Sequence, residues 1–323
     1  MTLAAAPATA NGPAPATATF ADVSHRKLGL SGYLACFNGI VWREVLRYLH
    51  QRERFLSALV RPLVWLFIFA AGFRQTLGVS IIPPYETYVL YEQFVTPGLI
   101  GMIMLFNAMQ SSLSMVYDRE TGAMRTLLVS PFPRSFLLTS KLLGGVSVGL
   151  LQVYVFMIIA HFWDIDPGGP AIRLGFGLSI PEPFNGYLTI LPALILVGLM
   201  LGALALFMSS VIKQLENFAG VMNFVIFPMF FASSALYPLW RVKESSPLLY
   251  EICRLNPFTY AVELIRFAMY GQIGPKIEGG GIDYTNLLVV IGYTAVFLLA
   301  AIYAYNPSKG LIGRRGGPGG GGG

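Results

Sequence analysis

The chain has 323 residues, of which 55% are hydrophobic and only 12% charged, with a mean hydropathy of +0.62. A soluble globular domain carries about 25% charged residues, so the composition excludes that class and predicts an integral membrane protein. The net charge of +6 would suggest a nucleic-acid partner in a soluble protein. Here the basic residues flank apolar runs, so membrane orientation explains the charge and no nucleic acid is expected.

Both ends of the chain predict disorder. Residues 1–30 are rich in Ala, Pro and Thr and carry no apolar run typical of a secretory signal. Residues 309–323 are mostly Gly. Residues 31–308 are therefore expected to form one transmembrane domain, in which the distant Cys36 and Cys253 predict neither a disulfide framework nor a metal site.

Six segments are apolar enough to cross a hydrocarbon core, which takes about 20 residues. The predicted spans are residues 55–73, 95–116, 142–163, 188–211, 218–239 and 286–305. Arg61 interrupts the first span, but its long stem can snorkel to the headgroups. With both termini in the cytoplasm, 15 of the 22 Lys and Arg residues fall inside. The positive-inside rule then predicts this orientation in a bacterial inner (plasma) membrane.

Residues 33–54 predict an amphipathic helix ahead of the first span. Arg43, Arg47, His50 and Arg54 share one arc of the helix, and apolar side chains lie opposite. Such a helix lies in the plane of the membrane interface. The alternative, a helix packed on a soluble domain, is disfavoured because no soluble domain remains in the chain.

The two longest segments on the predicted outer side differ in character. Residues 164–187 are rich in Pro and Gly and predict irregular structure. Residues 240–285 are too charged to span the bilayer and too apolar for water, with helical periodicity on both sides of Asn256 and Pro257. We expect a pair of short re-entrant helices there. The predicted fold is thus all-α, with six spans, an interfacial helix and re-entrant helices before the last span.

The sequence lacks the motifs of an energy-converting enzyme. No G-x-x-x-x-G-K-[ST], H-E-x-x-H or C-x-x-C pattern occurs, and the G-x-S-x-G match at residues 145–149 lies within the third predicted span rather than at a strand-to-helix turn. The central parts of the predicted spans carry no acidic residue, which disfavours transport driven by an ion gradient. We therefore expect a non-enzymatic protein without a cofactor of its own, whose energy comes from another polypeptide.

Residues 117–141 form the only predicted internal cytoplasmic segment long enough for such a polypeptide to dock on. A helix from Arg119 to about Ser130 is expected, followed by a turn at Pro131 and a return into the membrane at Lys141. Apolar side chains at helical spacing, including Leu127 and Leu128, would give this helix a docking face.

Two motifs resemble those of ABC-2 type transporter permeases. The stretch RETGAMRTLLVSPFPRSFLLTSK is similar to the family's cytoplasmic coupling segment, although Arg125 stands where many members have Glu and Ser140 where many have Gly. The stretch LNPFTYAVELIR is similar to the family's signature before the last span. The matching positions are Arg119, Glu120, Gly122, Leu127, Leu128, Pro131 and Lys141 in the first motif, and Asn256, Pro257, Thr259, Tyr260 and Arg266 in the second.

The resemblance implies a mechanism and partners, with drug-resistance and nodulation-factor exporters as the most similar sub-group. Such permeases form homo- or heterodimers of six-span subunits, each docked on a separate cytoplasmic ATPase that binds ATP and Mg²⁺. Glu120 and Arg125 are then expected to contact that ATPase; the alternative is that they are ordinary loop charges. The substrate implied is an amphiphilic, lipid-like, drug-like or glycan molecule that is exported.

Polar residues within two predicted spans indicate a possible substrate path. They would be costly facing lipid and are expected to face the interior of the dimer. The four main candidates are Asn107, Gln110, Asn223 and Ser233, with Ser111, Ser112 and Ser234 beside them. Met and Phe residues in the same spans suit an amphiphile, or simply pack and face lipid. Two other functions remain open, a gradient-driven carrier or channel without an ATPase, and a membrane-embedded enzyme.

Overall fold

The computed structural model describes residues 29–73, 91–120, 132–162, 173–174, 178–179, 184–212, 215–270 and 284–304. This part of the chain is built from helices and one pair of two-residue strands. The helices are α1 (Leu30–His50), α2 (Arg52–Phe73), α3 (Tyr91–Glu120), α4 (Arg134–His161), α5 (Phe184–Val211), α6 (Leu215–Phe231), α7 (Leu239–Ser245), α8 (Pro247–Leu255), α9 (Pro257–Tyr270) and α10 (Tyr284–Ala304).

Helix α3 is the centre of the molecule. It packs against α2, α4, α5, α6 and α9, and 72% of its apolar stretch is buried. Helix α10 packs on α5 and α9 only through one side, since 11% of it is buried. The core thus surrounds α3 and α5, and α10 lies at the periphery.

Glycines let α3 approach its neighbours closely. A Cβ on Gly98 would lie 2.6 Å from the carbonyl oxygen of Ala235, and one on Gly145 would lie 2.8 Å from Oγ of Ser111. Apolar side chains gain little from leaving lipid, so close van der Waals packing at small residues stabilises helix pairs in membranes. The glycines therefore contribute directly to the packing around α3.

Within the described residues, four helices are long and apolar enough to cross a membrane: Gln93–Asp118, Ser135–His161, Gly186–Val211 and Tyr284–Ala304. They coincide with the second, third, fourth and sixth predicted spans. Two shorter apolar stretches, Ala58–Ile68 and Gly220–Phe231, fall within the first and fifth.

The predicted fifth span, residues 218–239, is wrong at its end. Helix α6 stops at Phe231, turns follow, and Pro238 begins the separate helix α7. The helix stops there because Asn256 Nδ2 donates 2.7 Å hydrogen bonds to the carbonyl oxygens of Met229 and Ala232, which would otherwise be left unpaired at the helix end.

The predicted amphipathic helix at residues 33–54 also needs a boundary correction. Helix α1 ends at His50, and Gln51 separates it from α2, which already includes residues 52–54. The N–H of Gln51 donates to the carbonyl oxygen of Tyr48, closing the last turn. The buried face of α1 carries Glu44, so it is not purely apolar.

The predicted outer segments are partly regular. Strand β1 (Arg173–Leu174) pairs antiparallel with β2 (Leu178–Ser179), where irregular structure was expected. The predicted break at Asn256 is present, with α8 before it and α9 after it. Ser246 caps α8, because its side chain accepts a hydrogen bond from the N–H of Leu249.

Candidate functional site

A buried ion pair joins α3 and α4 at the end of the bundle where α1 lies. Lys141 Nζ donates to Asp118 Oδ2 at 2.7 Å, and the two side chains are 6% and 15% exposed. Helix α4 begins at Arg134, about two turns before Lys141, where the return into the membrane is predicted. The helix can continue through this position because Asp118 neutralises the buried ammonium group.

The other residues of the predicted coupling segment lie mostly outside the described part. Helix α3 extends to Arg119 and Glu120, whose side chains are not described. The remaining predicted positions, Gly122, Arg125, Leu127, Leu128 and Pro131, fall within residues 121–131, which are outside the described residues. Their predicted contacts with an ATPase stay predictions.

An aromatic cluster ties the end of this segment to α1. The ring of Tyr33 lies 5.2 Å from Phe132 and 5.1 Å from Phe136, in both cases edge to face. Edge-to-face pairs contribute about 0.5–1.5 kcal/mol beyond their buried area. Helix α1 is therefore attached to the start of α4.

Glu44 forms a second attachment between α1 and α4. Its side chain is 9% exposed and accepts from Arg43 at 3.0 Å, with Arg47 at 3.7 Å. A Cβ on Gly144 would lie 3.1 Å from Cγ of Glu44, so a larger residue there would require the Glu44 side chain to shift by a few tenths of an ångström. The carboxylate is thus buried with two cations from its own helix.

A cavity opens between α1, α2, α3 and α4. It encloses about 840 Å³, including the part open to solvent, and Asn107 and Gln110 both line it. Asn107 also donates from Nδ2 to the carbonyl oxygen of Gly145 at 2.7 Å, which fixes α3 against α4. Two of the four predicted substrate-path residues therefore meet at one cavity.

The other two predicted path residues lie elsewhere. Asn223 is exposed on α6. Ser233 is fully buried after the end of α6, where its hydroxyl donates to the carbonyl oxygen of Phe230 and accepts from the N–H of Ala235. Within the described chain Ser233 closes a turn, and the structure does not bring it to the cavity.

The second motif forms a structural junction at the opposite end of the bundle. Asn256 holds the end of α6, and its Oδ1 accepts from the N–H of Phe258 to cap α9. Thr259 Oγ1 donates to the carbonyl oxygen of Cys253 at 2.7 Å, which links α9 to α8 across the Pro257 break. Tyr260 packs against the main core. These residues fix the angle between α8 and α9.

Arg266 is the most buried charged side chain of this junction, at 3% exposed. Its Nη2 donates to the carbonyl oxygens of Ser234 at 2.8 Å and Phe94 at 3.3 Å, and its Nη1 pairs with Glu263. The guanidinium lies 4.1 Å from the centre of the Phe94 ring. Arg266 thus joins α9, the turn after α6 and the start of α3.

Some residues at these sites were not predicted as site residues, although the sequence gives a physical reason to single each of them out. Asp118 is an acid at the end of an apolar run, which is costly unless paired. Gln152 interrupts another apolar run and would be costly facing lipid. Arg61, whose stem is predicted to snorkel, has its guanidinium 4.0 Å from the centre of the Phe106 ring and lines the cavity.

No group of three His, Cys, Asp or Glu side chains forms a candidate metal site within the described residues. The chemistry available in this part of the chain is that of hydrogen bonds, ion pairs and apolar contacts.

Comparison with known proteins identifies one family of membrane transport proteins. Residues 36–270 match the family model described as ABC-2 type transporter. The chain is 27% identical over 249 residues to the transport permease ycf38 of Cyanophora paradoxa, covering 76% of this chain and 77% of that protein. It is 23% identical over 269 residues to the inner membrane transport permease YadH of Escherichia coli, covering 83% and 92%. It is 21% identical over 258 residues to nodulation protein J of Neorhizobium galegae, covering 77% and 85%.

Proposed function

Because this chain belongs to the ABC-2 type transporter family, we propose that it is the membrane subunit of an ATP-driven exporter. ATP and Mg²⁺ would be bound by a separate cytoplasmic ATPase subunit. The observation that carries the proposal is the Asp118–Lys141 ion pair. It joins the two helices that lead into and out of the predicted docking segment.

The ion pair supports a mechanical role for the segment. A displacement of residues 121–131 reaches the end of α3 and the start of α4 together, because Asp118 and Lys141 hold these helix ends against each other. Helix α1 would follow through the contacts of Tyr33 with Phe132 and Phe136. ATP binding to the partner then biases the bundle between two arrangements, as a ligand biases any two-state equilibrium.

The proposed topology has six spans and both termini in the cytoplasm. Helices α2 and α6, which hold the two shorter apolar stretches, would be the first and fifth spans. Helices α7 to α9 would form the re-entrant part of the outer leaflet. Helix α1 runs alongside α4, from Tyr33 at Phe136 to Tyr48 at Gln152, instead of lying in the plane of the interface as predicted from sequence. Two such subunits, identical or different, would form the transport unit in the inner membrane and export an amphiphilic molecule.

The test is co-expression of the full chain with a candidate P-loop ATPase encoded beside it. We expect the two to co-purify, and we expect ATP hydrolysis in nanodiscs to depend on the membrane subunit. Glu120→Lys should lower the stimulated hydrolysis, because reversing a contact charge costs binding. Glu244→Lys, at an exposed position on α7, is the matched control and should leave hydrolysis unchanged.

Two results would contradict the proposal. Transport in vesicles that contain the membrane subunit alone, driven by a proton or sodium gradient, would favour the carrier. Full stimulation of the ATPase by both Glu120→Lys and Arg125→Glu would show that the segment does not make the proposed contact.

A further inference from the structure

The cavity between α1, α2, α3 and α4 has polar atoms that the protein leaves without partners. In its lining, three buried side-chain atoms have no hydrogen-bond partner within the described residues: Oε1 of Gln110, Oγ of Ser114 and Oε1 of Gln152. They are three of only six such side-chain atoms in that part of the chain, and all three residues line this cavity. A buried polar atom without a partner is destabilising, so its persistence calls for a ligand or water.

Gln152 is the clearest of the three. Its residue is 2% exposed, and its Nε2 already contacts the hydroxyl of Tyr48 on α1. The amide is therefore held in place from one side while its oxygen faces the cavity. Such a side chain offers a fixed acceptor to a hydroxyl group of a bound molecule.

The charge of the lining is positive. Arg61 and Arg47 line the cavity with a single carboxylate, Glu44. Glu44 is already engaged by Arg43 and Arg47, whereas Arg61 has no ion pair within the described residues. A guanidinium stacked on a ring, as Arg61 is on Phe106, keeps its N–H edge available for a phosphate.

Part of the lining is apolar. Met102, Ile103 and Phe106 of α3 face the same space. The cavity lies beside α1, and its lining extends from Ser114 to Met102 along α3 and from Gly145 to Gln152 along α4. The lining is thus amphipathic in the way that a lipid is.

We propose that this cavity binds the head of an anionic lipid whose phosphate and hydroxyl groups match these side chains. The phosphate would accept from Arg61, and the hydroxyl groups would donate to Gln152 Oε1 and Gln110 Oε1. The upper part of the acyl chains would lie against Phe106. The site deepens the proposed function, because it includes the predicted path residues Asn107 and Gln110. Its residues belong to one subunit, and lipid binding is measured without the ATPase, so a failure of the lipid proposal and a failure of the exporter function are distinguishable.

The test measures lipid binding to the detergent-purified full chain by native mass spectrometry. The probes are phosphatidylglycerol, which has the phosphate and two hydroxyl groups, and phosphatidylcholine, which has no hydroxyl or amine donor. We expect saturable binding of phosphatidylglycerol that is about tenfold tighter than that of phosphatidylcholine, as the loss of a charge-assisted or hydroxyl contact implies. Equal affinity for the two lipids would overturn the proposal.

Three variants locate the site. Arg61→Gln and Gln152→Leu should each weaken phosphatidylglycerol binding about tenfold. Gln110→Glu is nearly isosteric and should repel the anionic head while leaving the fold intact, so it decides the question if either of the others unfolds. Arg254→Gln, at an exposed arginine of α8, is the control for general attraction of anionic lipid and should bind as the wild type does.

The last arm separates a lipid from a free phosphate ester. Glycerol 3-phosphate carries the same head chemistry without acyl chains, and we expect it not to compete at concentrations that saturate phosphatidylglycerol binding. Competition at equal concentration would show that the cavity recognises a soluble phosphate ester and would overturn the lipid assignment. Wild-type binding by Arg61→Gln, Gln152→Leu and Gln110→Glu alike would place the lipid elsewhere.

Discussion

Asp118 and Lys141 are 23 positions apart in the sequence, and their side chains meet at 2.7 Å. Both are largely buried, and the chain between them contains the segment expected to receive the ATPase. The pair therefore holds together the two helix ends between which the predicted docking segment lies. This contact lets a force on the segment move both helix ends together rather than separating them.

Removing one partner of this pair should destabilise the protein. Lys141→Met leaves the Asp118 carboxylate without its cation, and we expect a loss of about 3 kcal/mol in the free energy of unfolding. Asp118→Asn should cost less, because an amide oxygen still accepts from the ammonium group. Denaturant or thermal unfolding in detergent measures the effect.

The double variant Asp118→Asn with Lys141→Met provides the control. Since it leaves no charge unpaired, it should be more stable than Lys141→Met alone. Its ATPase stimulation should still be low, because the two helix ends are no longer held together. Additive losses of stability would show that the two residues do not interact.

Asn256 should tolerate no substitution that removes its amide group. Asn256→Ala leaves two carbonyl oxygens at the end of α6 and the Phe258 N–H without partners, and we expect a loss of about 2–3 kcal/mol. Asn256→Asp should be at least as costly at pH 7, because a carboxylate would face two carbonyl oxygens. The exposed Asn223→Ala is the control and should shift the unfolding free energy by less than about 0.5 kcal/mol.

Arg266→Lys should behave as a drastic change despite the conserved charge. A lysine cannot reach Ser234 O and Phe94 O with one planar group, and it loses the stacking on the Phe94 ring. We expect a loss of about 2 kcal/mol, measured by thermal unfolding. Arg254→Lys, an exposed position, should have almost no effect, and equal melting temperatures for the two variants would refute the role of Arg266.

Gly98→Ala tests the packing of α3 against the turn after α6. The added Cβ would lie 2.6 Å from the carbonyl oxygen and 2.8 Å from Cα of Ala235, so backbone must move. We expect a loss of about 1–3 kcal/mol. Gly292→Ala on α10 meets nothing within 4 Å and should be neutral or stabilising by up to about 1 kcal/mol. The difference between the two melting temperatures is the measurement.

Alkaline pH should destabilise the junction around Cys253 and Tyr237. Burial raises the pKa of the Cys253 thiol, although the hydrogen bond with Tyr237 lowers it in part. Burial, with Cys253 nearby, raises the pKa of Tyr237 to about 12. Because both pKa values are raised, the folded state favours the neutral thiol and the neutral phenol. The contribution of the two groups to the free energy of unfolding is complete below their ordinary pKa values, and it is lost as the pH rises through their pKa values in the folded state.

The measurement is the melting temperature between pH 8 and pH 11. Wild type should lose stability above about pH 9, where an exposed thiol begins to ionise. Cys253→Ala should flatten this part of the profile, while the half-exposed Cys36→Ala should change it less. Identical profiles for all three proteins would exclude Cys253 as a cause.

The sequence predicted most of the helices because each long span is a continuous apolar run between charged or Gly-rich flanks. Residues 286–305 illustrate this, since α10 covers Tyr284–Ala304. The fifth span could not be bounded in the same way. Residues 232–238 carry no charged residue to mark a boundary, and the helix end at Phe231 is capped by Asn256, remote in sequence, which binds the carbonyl groups of Met229 and Ala232.

The sites were harder to predict than the spans. Asn107 and Gln110 were recognised as polar residues inside an apolar run, and they do meet at a cavity. The residues that join them at the cavity, Gln152 and Arg61, were not predicted. They come from other helices, and no local sequence pattern places them together. The structure also gives the second motif a physical role, since Asn256 and Arg266 bind backbone carbonyl groups that belong to three other segments of the chain.

Gln51 separates α1 from α2 and is a point at which the angle between them can change. It is the one non-helical residue between α1 and α2, with φ −89° and ψ 67°. Because α1 packs far more extensively on α4 than on α2, we expect a movement of α4 to carry α1 with it. Under the proposed function, the width of the cavity mouth would then change with the position of the docking segment, and a lipid bound there would oppose the movement that ATP binding drives.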